Sequence, residues 1–92
     1  MNEQLVKQLL LSKTLKPIPH FYKRCRQRGL YFNSKRVAKE FEIIKIDGQR
    51  VVIATPMNEK FSILIIIDTD DQKLVSIYKR EVNRIKKEEI VC

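Results

Sequence analysis

His20, Arg24 and Arg28 recur every four residues in the segment His20-Phe21-Tyr22-Lys23-Arg24-Cys25-Arg26-Gln27-Arg28-Gly29. On a helix this spacing sets all three side chains on one stripe. Like charges so placed repel by roughly 0.2–0.5 kcal/mol per pair, so another interaction must favour the arrangement, and a bound phosphate would supply it. The planar fork of arginine matches phosphate oxygens. His20 is the single histidine of the chain, and histidine alone has an ordinary pKa near neutrality. A solvated helix face that starts on a histidine would show the same pattern. A second constellation closes the β-rich part, where Ser76, Tyr78 and Arg80 alternate onto one strand face. A hydroxyl, a phenol and a guanidinium in a row can orient and stabilise an oxyanion. A sheet face half-covered by a helix, with Tyr78 at the rim of the core, is the competing explanation.

The charge distribution favours a polyanionic partner. Residues 1–40 hold ten Lys or Arg against Glu3 and Glu40, and no acidic residue lies between Lys7 and Lys39. Residues 41–92 balance nine basic against nine acidic residues, so the net charge of +8 resides in the first half. Such asymmetry points to a directed positive surface for nucleic acid. Lys23, Arg26, Lys35, Arg36 and Lys39, joined by Arg80 from the last strand, are the expected nucleic-acid contacts. No helix pairs a strong apolar face with a Lys/Arg face, so no membrane partner is expected.

Other chemistries lack their residues. Two cysteines and one histidine make no zinc site of usual spacing, and Gly29 and Gly48, the only glycines, build no phosphate loop. Cys25 lies among arginines, which could lower its thiol pKa, but no partner pattern for a nucleophile accompanies it. Asp68, Asp70 and Asp71 read as a polar turn rather than a metal cluster. No metal and no cofactor are therefore expected.

The elements that must position these groups follow from periodicity. The chain has 92 residues, 43% of them hydrophobic, which suits one globular α+β domain. A first helix is predicted from Asn2 to Leu15, with Leu5, Val6, Leu9 and Leu10 at helical spacing, Lys13 and Lys16 at its end, and Pro17 and Pro19 stopping it. A second runs from about His20 to Arg28 with Gly29 as terminator. Asn33 or Ser34 caps a third short turn reaching Phe41. Four antiparallel strands follow: Phe41–Ile46 and Arg50–Thr55 around an Asp47-Gly48 turn with both residues at positive φ, then Phe61–Asp68 and Lys73–Arg80 around residues 69–72. Phe61–Asp68 is apolar on both faces and so should be central. Residues 81–91 could form a last helix. The parts are an N-terminal helix (1–16), a basic helical region (20–41), an antiparallel sheet (42–80) and a C-terminal segment (81–92). The longest apolar run, Ile63–Ile67, is far below the ~18 residues of a membrane helix, and Lys7 and Lys13 flank Leu9-Leu10-Leu11 too closely for a signal peptide. A cytoplasmic protein with Cys25 and Cys92 as free thiols is expected.

His20, Arg24, Arg28 and Gly29 in the register His-x-x-x-Arg-x-x-x-Arg-Gly, with Ser76-Ile77-Tyr78 in the last strand, resemble a family of small bacterial domains related to the RelE and BrnT toxins, within the barnase–EndoU–colicin–RelE ribonuclease group. The resemblance covers about residues 18–80; the helix before it lies outside the match. It implies metal-independent RNA cleavage, RNA offered alone or on the ribosome, and a small acidic antitoxin as partner. His20 would then serve as base or acid, Arg24 and Arg28 would hold the phosphate, and Ser76 and Tyr78 would orient it. Glu40 and Glu42 are spare candidates for the base. Two further functions fit the same composition: a non-catalytic nucleic-acid-binding module such as a phage or plasmid accessory protein, and a protein-interaction inhibitor recognisable by an apolar patch on the first helix or first strand.

Overall fold

The computed structural model describes residues 2–85. Helix α1 (Glu3–Leu11) starts where Asn2 Oδ1 accepts the Leu5 N–H at 2.9 Å, and it buries Val6 and Leu10, one turn apart. It ends four residues earlier than the periodicity predicts. Ser12 turns to extended geometry and its Oγ accepts the Thr14 N–H at 3.0 Å, a local bond that competes with the helix. Thr14 Oγ1 then donates to the Gln72 side chain, and the Lys16 N–H donates to the Gln72 carbonyl at 3.0 Å.

These contacts draw the chain into β1 (Lys16–Pro17), a two-residue strand that the sequence pattern missed. Helices α2 (Phe21–Gln27) and α3 (Ser34–Lys39) follow, then β2 (Glu42–Asp47), β3 (Arg50–Pro56), β4 (Phe61–Asp68) and β5 (Lys73–Glu81). The sheet has five strands in the order β1-β5-β4-β3-β2, with β1 parallel to β5 and the other pairs antiparallel. It is therefore a mixed sheet rather than the four-stranded antiparallel one expected. Pro17 misleads because proline cannot donate to a ladder, yet at an edge only alternate N–H groups are needed. Lys16 and Ile18 donate to Gln72 and Leu74, and Pro17 occupies the position between them.

β4 is central, as its doubly apolar sequence predicts, because the sheet has a core on each side. Val51, Ile53, Ile65, Ile67 and Ile77 pack with Val6, Leu10, Phe21 and Cys25 on the helical side. Leu64, Ala54 and Ile44 form a smaller cluster with Val52, Tyr78 and Ile85 on the other. Two β-bulges interrupt strict alternation. The register shifts between Ile43 and Lys45 on β2, and between Leu74 and Ser76 opposite Ile67 and Ile66. Val75 is the extra residue, so Leu74 and Ile77 both join the helical core, where simple alternation would separate them.

The first hairpin turn also differs from expectation. Asp47 pairs with Arg50, so the turn residues are Gly48-Gln49, and of these only Gly48 has positive φ, at 59°. Glycine at the first central position is the mark of a type II′ turn. A Cβ at Gly48 would meet nothing within 4 Å, so substitution acts through backbone strain alone. Gly48→Val is expected to lower stability by about 1 kcal/mol or more in urea melts.

In the second hairpin Asp68 is buried. Its Oδ1 accepts the Asp71 N–H at 3.0 Å and its Oδ2 accepts from Gln49 Nε2 at 2.8 Å. The Asp71 N–H, aided by Gln49, Asp70 and Arg50, holds this carboxyl below its ordinary pKa against the opposing effect of burial. A depressed carboxylate pKa stabilises the fold above the unfolded value of about 4, and that stability is lost as pH falls through the folded value. Thermal melts from neutral to strongly acidic pH should show this acid-side loss, and Asp68→Asn should flatten it. Of the helix expected over residues 81–91, Glu81 closes β5 instead, Val82–Arg84 form one 3-10 turn and Ile85 is extended, while residues 86–91 lie outside the described residues.

Candidate nucleic-acid interface

α2 is fixed by its apolar residues at one end and its terminator at the other. Phe21 and Cys25, four apart, are buried, and the Phe21 ring meets Phe32 edge-on at 5.3 Å. Gly29, at φ 63°, ends the helix. The Gly29 N–H donates to Arg26 and the Leu30 N–H donates to Cys25, the paired bonds of a Schellman cap. The helix then has one rotational setting over the sheet, and that setting decides where the stripe points.

Arg24 is half-buried and its Nη1 donates to Ser76 Oγ at 3.2 Å. The Arg28 guanidinium donates to the Ile77 carbonyl. β1 pairs only with Lys73 and Leu74 of β5, so the edge of β5 beyond Leu74 would otherwise offer bare carbonyls to solvent. Arg28 covers one of these, the Ile77 carbonyl, whereas Arg24 meets the Ser76 hydroxyl. Each guanidinium carries five N–H donors, so one bond to β5 orients the fork without exhausting it. Burial of Ser76 holds the Arg24 partner in place. His20, one turn before Arg24, is exposed at the start of α2, and its side chain makes no capping bond.

Tyr78 is not brought to this stripe. It lies on the sheet face away from the helices, packed with the Leu64 cluster, and the Arg80 guanidinium sits 5.3 Å from its ring centroid. Of the pair expected to orient phosphate, Ser76 meets an arginine of the α2 stripe and Tyr78 does not. Arg80, with Tyr78, belongs to that second face, apart from the helical cations. The spare bases sit on other elements. Glu42 is on β2, three strands from β5 and so about 14 Å away at ~4.8 Å per strand. Glu40 ends α3, where its carbonyl accepts from Thr55 Oγ1 at 2.7 Å. Cys25 is buried, and burial pushes its thiol pKa up; the arginines beside it in sequence point elsewhere, so the activated thiolate considered from sequence does not arise.

The remaining cations behave as a surface. Lys23 and Arg26 on α2 and Lys35, Arg36 and Lys39 on α3 are exposed, and among the described residues none has a carboxylate partner. α3 is capped by Asn33, whose Oδ1 accepts the Arg36 N–H at 3.1 Å, which fixes the start of this second cationic helix. Leu5 and Leu11 are exposed on α1, but at six residues apart they do not share a face and form no patch. No helix among the described residues is long and apolar enough to cross a membrane. One feature escaped the sequence reading: Tyr31, between the two basic helices, is 75% exposed. An aromatic set among Lys and Arg residues was the available signal. No family model matches the chain, and neither a curated protein nor a solved structure matches it.

Proposed function

We propose that this protein is a small cytoplasmic RNA-binding domain that grips the RNA backbone with the cations of α2 and α3 and cleaves it, without metal, in the manner of a RelE-like ribonuclease toxin. The observation that carries the reading is the pairing of an exposed His20 that caps nothing with two arginine forks anchored on β5, beside five cations that have no carboxylate partner among the described residues. Arg24 and Arg28 would neutralise the phosphate as it becomes crowded, and His20 would move the proton to or from the reacting oxygen. With one histidine, the second proton transfer falls to solvent or to a group on the RNA or ribosome. A small acidic antitoxin would find its counter-surface in the same cations.

A second reading, binding without cleavage, is favoured by one specific observation: Tyr78 and the Glu42 carboxylate lie away from the stripe. Both readings require salt-dependent affinity. If about six phosphates are contacted, raising salt from ~50 to ~200 mM should weaken RNA binding roughly a thousandfold. The Lys23, Arg26, Lys35 and Arg36 quadruple replacement by Gln should flatten that slope while leaving the melting curve unchanged, since all four side chains are exposed. Affinity independent of salt, or unaffected by the quadruple replacement, would overturn the assignment of this face.

A further inference from the structure

A cavity of about 260 Å³ opens between the α2–α3 connection and the β3–β4 end of the sheet. Its walls are Tyr31, Val37, Met57 and Ile63, and Asn33 and Arg36 also line it. Two of the wall residues, Tyr31 and Met57, are 75% and 43% exposed. Leaving a phenol ring and a thioether in water forgoes the stabilisation that burying them would give, and a ligand that covers them recovers it. The volume falls below the ~300–1,000 Å³ usual for drug-sized ligands and suits one planar ring system.

The surroundings select the ligand. Among the described residues no carboxylate lines the cavity, and Arg36, which does line it, has no ion-pair partner. Lys35 is the second residue of α3, two positions past the Asn33 cap. Asn33 uses its Oδ1 to cap α3, which leaves its amide N–H groups as donors. Thr55 is committed to the Glu40 carbonyl. The cavity therefore offers an aromatic face, apolar walls, amide donors and a cation, with no carboxylate among its described lining residues. A nucleobase carries a π-face, acceptor atoms on its edge and a phosphate one sugar away, and it meets each of these features.

We propose that this cavity is a nucleobase subsite: an unpaired base of single-stranded RNA stacks on Tyr31 against Met57, Asn33 donates to the base edge, and Arg36 holds the adjoining phosphate. The inference rests on the RNA-binding reading and adds to it a preference for single strands, because a base inside a duplex cannot leave its stack without cost. Stacking on one aromatic side chain is sequence-tolerant and contributes enough that its removal is readily measured.

The test uses a ten-nucleotide single-stranded RNA carrying 2-aminopurine at its centre, with every protein in a His20→Ala background so that the RNA is not consumed. Binding should quench the 2-aminopurine fluorescence. Tyr31→Ala should weaken affinity about tenfold and abolish the quench, while Tyr31→Phe should retain both. The salt slope should be the same for all three proteins, and affinity for a blunt duplex of the same sequence should not change. Tyr31→Ala binding like its parent, with the salt slope intact, would overturn the subsite and leave the RNA-binding reading standing; a cavity made for an apolar peptide side chain would give that result. No binding of any nucleic acid by the parent would overturn both. Because Tyr31 is exposed, its replacement should leave the thermal melt unchanged, which separates a lost ligand contact from a lost fold.

Discussion

RNA cleavage by the His20→Ala variant is expected to fall by about a hundredfold to ten-thousandfold, the usual cost of losing a positioned acid or base. Affinity should change by less than about twofold, because the counterion release that drives binding comes from the lysines and arginines of α2 and α3. The two effects separate because His20 has no duty in the fold: its side chain is exposed and caps nothing. The melting temperature should also hold. Arg24→Lys should reduce both cleavage and binding, since an ammonium cannot reach Ser76 and a phosphate with one planar fork. Denaturing gels of labelled RNA, with and without ribosomes, measure the first effect, and growth of cells expressing each variant gives an independent readout. Wild-type protein that binds RNA tightly yet leaves it intact in both assays would decide for binding without cleavage.

Phe21→Ala should cost about 3–5 kcal/mol, the range for emptying a fully buried aromatic site. Phe21 is wholly buried at the first position of α2, edge-on to Phe32, in the same cluster as Ile65 and Ile77 of the sheet. Its ring ties the start of α2 to the sheet, so the cavity left behind would also release His20 and Arg24 from their setting. A domain of this size has roughly 5–14 kcal/mol of stability in all, so the variant should be marginal at 25 °C and partly unfolded when warmed. Urea denaturation measures the loss. A cost below about 1 kcal/mol would mean that α2 is held by something other than this ring. Phe21→Leu, which keeps much of the apolar volume, should be markedly milder.

Much of the fold was legible because local and tertiary signals agree. The apolar run of β4 needed both of its faces covered, and Gly29 could hardly sit anywhere but past a helix end. What escaped prediction depends on partners distant in sequence. β1 exists because Gln72 and Leu74 present carbonyls to Lys16 and Ile18, and nothing near Pro17 announces them. The bulge at Val75 rotates the last strand by one residue relative to its neighbours, which no alternation pattern can reveal.

The candidate site divides in the same way. Helical spacing sufficed to align His20, Arg24 and Arg28. Which side of the sheet Tyr78 faces, and that Arg24 and Arg28 each spend a donor on β5, needed the three-dimensional register. Tyr31 carries no periodic signal, because it is a single aromatic in a loop.

The central claim is that RNA contacts the α2–α3 side of the molecule, and backbone amide shifts during titration with single-stranded RNA test it most directly. The largest shifts are predicted for residues 20–39, with smaller ones at Ser76 and Ile77 through Arg24 and Arg28, and little change along Ile44, Val52 and Leu64 on the far face. Shifts confined to that far face around Tyr78 and Arg80, or none at low salt, would contradict it.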